Sequence, residues 1–185
     1  MRRGPAWAAE VERLDAACYA AIAQTPTPRL DRTLAGLSRT ADHSKISLGI
    51  AAGLAICGGA RGRRAATSGL VSVAVTATVV NVAVKPLARR RRPDRAFHKV
   101  PVDRHVPLPS SRSFPSGHSA AAFAFAGGAG DVIPSLSPPL HALAALVAYS
   151  RVHTGVHYPL DAIAGSVLGA TLSQVTRGVR RDVGS

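Results

Sequence analysis

Residues 140–175 read LHALAALVAYSRVHTGVHYPLDAIAGSVLGATLSQV. Two apolar runs, 140–149 and 160–175, flank a polar turn that carries Arg151, His153 and His157, with Asp161 just beyond it. Runs of this kind predict two helices joined by a short turn, and Pro159 suits a first helical turn, where its missing N–H has no intrahelical partner to lose. His157 and Asp161 stand four apart, so at the start of a helix they can face each other. An imidazole that donates one ring N–H to a carboxylate keeps its other nitrogen free as a nucleophile. Taken alone, His-x3-Asp is an ordinary i, i+4 surface pair.

Working outward, further apolar segments occupy 47–60, 65–84 and 118–130. The pattern predicts one all-α unit: a membrane-embedded helical bundle of about five spans with an N-terminal amphipathic helix. A mean hydropathy of only +0.14 averages these runs with a few highly charged loops. A bilayer core asks for about 20 apolar residues per helix. Several runs fall short, so they must borrow flanking small residues, and their alanines and glycines allow close helix approach. A soluble all-helical enzyme is the alternative. The expected organisation is N-terminal amphipathic or interfacial helices over 1–43, a core over 44–178 and a basic tail over 179–185.

Val11, Leu14, Cys18 and Ile22 recur at helical spacing, with Glu12, Arg13 and Asp15 on other faces. Such a helix lies on a membrane surface or against the bundle, and Thr25-Pro26-Thr27-Pro28 ends it. A second short helix starts near Asp31 with Leu30, Leu34 and Leu37 on one face. Asp42 and His43 are read as a capping pair at an interfacial turn, and Arg61-Gly62-Arg63-Arg64 as a tight basic loop between the first two spans. Residues 88–113 form the one long polar loop, a length that usually carries function. Cys57 is read as a small buried hydrophobe, and Cys18 and Cys57 imply neither zinc nor a disulfide framework. Met1-Arg2-Arg3 followed so soon by Glu10 and Glu12 is not a signal peptide, so insertion would use the first internal span.

The net charge is +13, from 23 basic against 10 acidic residues. Nucleic acid is excluded as a partner: aromatic interleaving is sparse and there is no zinc-finger or helix-turn-helix signature. Anionic lipid headgroups account for the excess, at about 1 kcal/mol per basic residue near such a surface.

Three blocks carry the chemistry: Lys85 with Arg92-Pro93, then Pro115-Ser116-Gly117-His118, then Ser150-Arg151 with His157 and Asp161. The order K-x6-RP, PSGH, SR-x5-H-x3-D resembles the type 2 phosphatidic acid phosphatase (PAP2) superfamily, which includes lipid phosphatases, vanadium haloperoxidases and bacterial acid phosphatases. The resemblance runs from Lys85 to Asp161. It implies that His157 attacks phosphorus to form a phosphohistidine, that Asp161 orients it, and that His118 protonates the leaving alcohol. It further implies that Lys85, Arg92, Ser116, Gly117 and Arg151 bind the phosphate, with no metal and no cofactor. Arg89, Arg90 and Arg91, next to the motif, are read as a solvated basic collar, and His98, His105, His141 and His153 receive no role.

The expected function is therefore metal-independent hydrolysis of a membrane lipid phosphate or diphosphate: phosphatidic acid, phosphatidylglycerophosphate or a polyprenyl phosphate. A polyprenyl-phosphoribose phosphatase, a vanadate-dependent haloperoxidase-like enzyme and a non-catalytic anionic-lipid binder are the alternatives. The expected location is a multi-pass position in the cell membrane. Threading the spans alternately brings the three blocks to one side with most of the 23 basic residues, which leans that face to the cytoplasm. The basic stretches 61–64 and 177–181 argue for the reverse.

Overall fold

The computed structural model describes residues 5–88 and 90–182, with side chains through 178. Numbered in chain order, the helices are α1 (Ala6–Gln24), α2 (Pro28–Thr40), α3 (Lys45–Cys57), α4 (Gly59–Thr78), α5 (Lys85–Leu87), α6 (Gly117–Val132), α7 (Ser137–His153) and α8 (Pro159–Asp182). A π-helical segment, Val79–Val84, joins α4 to α5 into one helical rod. No strand occurs among the described residues, and the fold is all-helical.

Alanine, glycine and serine set how closely these helices meet. α6 is the central one: it packs on α4, α7 and α8, and every residue from Ala124 to Gly130 is buried. Its core partners are small, chiefly Ala51, Ala65, Ala66 and Ala144 around Phe125 and Leu140. Hydroxyls tie the helices across these contacts, Ser68 Oγ donating to the Gly128 carbonyl and Ser72 Oγ lying 3.0 Å from Thr176 Oγ1. Such small-residue faces with interhelical hydrogen bonds suit a bundle in which lipid supplies no hydrophobic drive between helices. The tightest approach places the site. A Cβ at Gly165 would run into the Ser116 carbonyl, and one at Gly169 into the Ala120 carbonyl, so α8 lies against the first turns of α6.

Apolar side chains also point outward, among them Leu48, Ile56, Val82, Leu146, Ile163 and Val167. The rod Gly59–Leu87, 29 residues, is long and apolar enough to cross a membrane, and among the described residues it alone meets both conditions. At 1.5 Å per residue it measures on the order of 40 Å, whereas α3 and α6 reach about 20 and 24 Å.

Several expectations change. The stretch Arg61-Gly62-Arg63-Arg64 is not a loop but the opening of α4. The break falls earlier, at Gly58-Gly59, where Gly59 adopts φ +58. Cys57 is exposed, because α3 turns only Ser47 and Ala51 into the core. In α1 the apolar stripe of Val11, Leu14 and Cys18 faces outward, and the packed face is Asp15, Tyr19 and Ala23. That inversion follows from pairing: Asp15 accepts from Arg90 and from the Leu160 amide, so the carboxylate is drawn inward. The second helix starts at Pro28, three residues before the expected point, and packs through Asp31, Leu34, Ala35 and Ser38. The segment read as a basic tail is entered by α8, but its side chains lie outside the described residues.

Between α5 and α6 the described residues hold only one short helical turn, the 3-10 turn Val102–Arg104. Arg104, fully buried, pins this loop to the α1–α2 junction by bonding Asp31 Oδ1 (2.9 Å) and the carbonyls of Ile22, Ala23 and Thr25. The end of α5, the loop, the start of α6, the end of α7 and the start of α8 thereby meet at one end of the bundle.

Candidate active site

His157 sits in the turn between α7 and α8. Its amide and that of Val156 both donate to the Arg151 carbonyl, at 3.1 and 3.0 Å, which closes the end of α7, and Gly155 (φ +69) provides the reversal. The ring is buried, 1% exposed. Nδ1 lies 3.4 Å from Ser113 Oγ and 3.6 Å from Asp161 Oδ2. Nε2 lies 3.2 Å from Arg92 Nη1. A guanidinium has donors and no acceptor, so Nε2 carries the lone pair and the proton of the neutral ring belongs on Nδ1, toward Ser113 and Asp161. Burial pushes the imidazole pKa down to about 4, with Asp161 opposing and Arg92 adding to the effect. At neutral pH the ring is therefore uncharged and aims a free lone pair toward Arg92.

Asp161, fully buried, is held from several sides. Arg90 Nη1 donates to Oδ1 at 2.9 Å, the Tyr158 amide donates to Oδ2 at 3.0 Å, and Ser113 Oγ donates to Oδ2. Arg90 also reaches Asp15 on α1 and stacks over Tyr158, 4.3 Å from its ring centre. Burial works against the Arg90 charge, but Asp161 and Asp15 outweigh it and hold its pKa above the ordinary value.

Three cations converge on this pair. Arg92 organises the loop below it, donating through Nε to the carbonyls of Pro109 and Ser111 and through Nη1 to that of Val156. Lys85 Nζ donates to Ser111 Oγ at 3.2 Å and lies 3.6 Å from where a Cβ on Gly117 would stand. Arg151 is fully buried. Its Nη1 bonds the Ser38 carbonyl (2.9 Å) and hydroxyl (2.7 Å), while Nε and Nη2 have no hydrogen-bond partner among the described residues. A buried guanidinium left with unpaired donors costs free energy unless an anion meets them. Lys85 stands at the first turn of α6, and a helix N-terminus favours anions. Ser116 caps that helix: its Oγ accepts from the Ser119 hydroxyl at 2.9 Å, and its amide donates to the Asp161 carbonyl at 2.9 Å. A cleft of about 210 Å³ opens beside Lys85, Gly117 and His118 and runs down past Asn81 and Val80. A larger cleft of about 590 Å³ at the far end, lined by Arg63, Arg64, Asp131 and Arg177, contains no histidine.

His118, on the first turn of α6, meets an unexpected partner. Its Nε2 lies 2.9 Å from Asp42 Oδ1, which also accepts from Arg151 Nη1 at 3.3 Å. The capping role expected of Asp42 and His43 is not what the structure shows: neither side chain caps the adjoining helices, because the Asp42 carboxylate is taken up by His118 and Arg151. Arg90 is likewise no part of a solvated collar, since Asp15 and Asp161 draw it in; Arg91 is exposed, and Arg89 lies outside the described residues. Ser113, Ser38 and Asp15 were also missed. Each is a common polar residue whose partner is remote in sequence. Among the histidines outside the motif, His153 bonds Asp31 at 2.9 Å within the Arg104 cluster, and His98 stacks edge-on against Tyr19.

A buried, neutral imidazole backed by Asp161, with Arg92 at its free nitrogen and Lys85 and Arg151 at the same end of an all-helical bundle, makes a candidate anion site. The chain belongs to the PAP2 superfamily, whose family model matches residues 65–184. It is 39% identical over 111 residues to a decaprenylphosphoryl-5-phosphoribose phosphatase of Mycobacterium tuberculosis, covering 57% of this chain and 56% of that protein. It is 42% identical over 71 residues to an undecaprenyl-diphosphatase of Sulfolobus acidocaldarius, covering 36% of this chain and 33% of that protein. The chain thus spans little more than half the length of the first of these relatives and a third of the second. The crystal structure of a transmembrane PAP2-type phosphatidylglycerolphosphate phosphatase from Bacillus subtilis superposes with a TM-score of 0.71 at 25% identity, covering 94% of this chain and 88% of that one.

Proposed function

We propose that this protein is an integral membrane phosphatase that removes a terminal phosphate from a lipid without a metal, through a phosphohistidine on His157. The observation that carries the reading is the orientation of His157: a neutral ring with Nδ1 toward Ser113 and Asp161 and the Nε2 lone pair facing Arg92. In the first step Nε2 attacks phosphorus, a P–N bond forms, the bond to the lipid oxygen breaks, and His118 gives that oxygen a proton. In the second, water attacks the phosphohistidine, His118 takes a proton from it, and inorganic phosphate leaves as the P–N bond breaks. Lys85, Arg92 and Arg151 neutralise the equatorial oxygens, and such preorganised charge is usually the largest catalytic contribution. Asp161 stabilises the charge that develops on His157.

In this reading α3, the Gly59–Leu87 rod, α6, α7 and α8 are the five spans, their outward Ile, Leu and Val side chains facing lipid. The exposed stripe of α1, with Trp7, Val11 and Leu14, rests in the membrane interface. The catalytic end carries most of the basic charge and faces the cytoplasm. Phosphatidic acid, phosphatidylglycerophosphate and polyprenyl phosphates all present the same terminal phosphate. The two curated relatives named for prenyl substrates favour a polyprenyl-linked phosphate, including a polyprenyl-phosphoribose.

The test is phosphate release from a panel of these lipids by detergent-purified protein in EDTA, with His157→Ala alongside. Release that persists in EDTA and disappears in the variant supports the reading. Folded wild-type protein that releases phosphate from none of them, or that needs a divalent metal, refutes it.

A further inference from the structure

The site contains two histidines and two carboxylates, and they are paired one to one: His157 with Asp161, His118 with Asp42. Asp161 is already engaged by Arg90, Ser113 and the Tyr158 amide. Asp42 comes from a different part of the chain, the turn between α2 and α3. In that turn His43 and Ser44 both adopt φ +56, a left-handed conformation that costs on the order of 1 kcal/mol for each non-glycine residue. The turn aims Asp42 inward, and its carboxylate performs no local capping.

A carboxylate in this position opposes the phosphate that Lys85, Arg92 and Arg151 attract, so it weakens substrate binding. What it does is hold the His118 ring, through the 2.9 Å contact with Nε2. The groups facing that ring are Asp42 and Arg151 in contact or near contact, His157 across the pocket, and Lys85 and His43 along the shared cleft. Asp42 is the anion among them. We infer that Asp42 is a positioning residue that orients His118 as the acid for an alkoxide leaving group, by accepting its Nε2–H and leaving the other ring nitrogen for the substrate oxygen. As the P–O bond breaks, His118 passes the proton on that second nitrogen to the lipid oxygen and becomes neutral, while Nε2–H stays with Asp42. The proton returns when water attacks the phosphohistidine. The inference rests on the phosphatase reading above and names the leaving-group side of the same site.

General-acid assistance matters for a poor leaving group and little for a good one. The experiment therefore compares a lipid monophosphate, which releases an alkoxide, with p-nitrophenyl phosphate, which releases a phenolate, for wild type, Asp42→Asn, Asp42→Glu and His118→Ala in detergent. Asp42→Asn is expected to slow the first step, read as single-turnover release of the alcohol or nitrophenolate because hydrolysis of the phosphohistidine is common to both substrates, about 100-fold for the lipid, in line with the usual yield of acid–base catalysis, and less than about 5-fold for p-nitrophenyl phosphate. KM for the lipid should not rise, Asp42→Glu should restore part of the rate, and adding Asp42→Asn to His118→Ala should change nothing further. Retained turnover of p-nitrophenyl phosphate shows that the variant site is folded. Equal losses on both substrates in a folded variant overturn the inference. So does an Asp42→Asn protein that keeps its single-turnover rate on the lipid and binds inorganic phosphate more tightly, since the carboxylate would then only occupy the phosphate position. Wild type without EDTA-resistant turnover of either substrate removes the phosphatase reading and this inference with it.

Discussion

Replacing Arg90 with methionine keeps an unbranched apolar stem and removes the guanidinium that joins two buried carboxylates. Asp15 is 1% exposed and Asp161 is fully buried, whereas the guanidinium is 21% exposed. After the change Asp161 keeps Ser113 and the Tyr158 amide, and Asp15 keeps the Leu160 amide at 2.9 Å, so neither is bare, but both have lost their counter-charge. Breaking a buried pair from one side typically costs about 3 to 5 kcal/mol. The stacking over Tyr158 adds roughly 0.5 to 1 kcal/mol. For a chain of this size each kcal/mol moves Tm by about 2 to 4 °C, so thermal unfolding in detergent, followed by circular dichroism, should show a fall of about 7 to 24 °C. Adding Asp15→Asn removes one of the stranded charges and should recover about 1 to 2 kcal/mol, a coupling of the size seen between contacting residues. A Tm for Arg90→Met within about 2 °C of wild type, or no recovery in the double variant, would refute the buried bridge and with it the account of why α1 turns Asp15 inward.

Two further outcomes follow from the same geometry. Because burial holds the His157 pKa near 4 and an unfolded imidazole titrates near 6.5, the unfolded chain binds more protons between those values, so stability falls as pH drops from about 6.5 to about 4. The contribution of this residue amounts to about 3 kcal/mol, read as the difference in Tm against pH between wild type and His157→Gln; superimposable profiles would contradict it. Gly165→Ala should drive a methyl group into the Ser116 carbonyl, cost about 1 to 3 kcal/mol and reduce phosphate release, whereas Gly49→Ala, with nothing within 4 Å, should leave both unchanged. Equal behaviour of the two alanine variants would mean that α8 does not press on the PSGH turn.

Helix positions were legible because they depend on local composition. The apolar runs at 47–60, 65–84, 118–130, 140–149 and 160–175 all lie within helices or at their ends, and Thr25 to Pro28 does separate the first two. The order of the three motif blocks also carried the family, now shown by the match over residues 65–184. Their residues do converge: Lys85 stands beside Gly117, Arg92 reaches His157, and the Ser116 amide meets the Asp161 carbonyl. What composition could not supply was which of several equivalent residues turns inward. Arg89 to Arg92 are identical in type, yet Arg91 is exposed while Arg90 and Arg92 reach partners 71 and 65 residues away. Asp42 and His118 are separated by 76 residues, and Asp15 and Leu160 by 145. A charge enters a protein interior only where an opposite charge or a donor is already waiting. The sequence by itself thus determined the helices, the family and the chemical groups of the site, because spacing and side-chain type are local properties; the tertiary structure decided which arginine braces Asp161, which carboxylate meets His118 and which face of α1 is buried, because each depends on a partner brought near only by the fold.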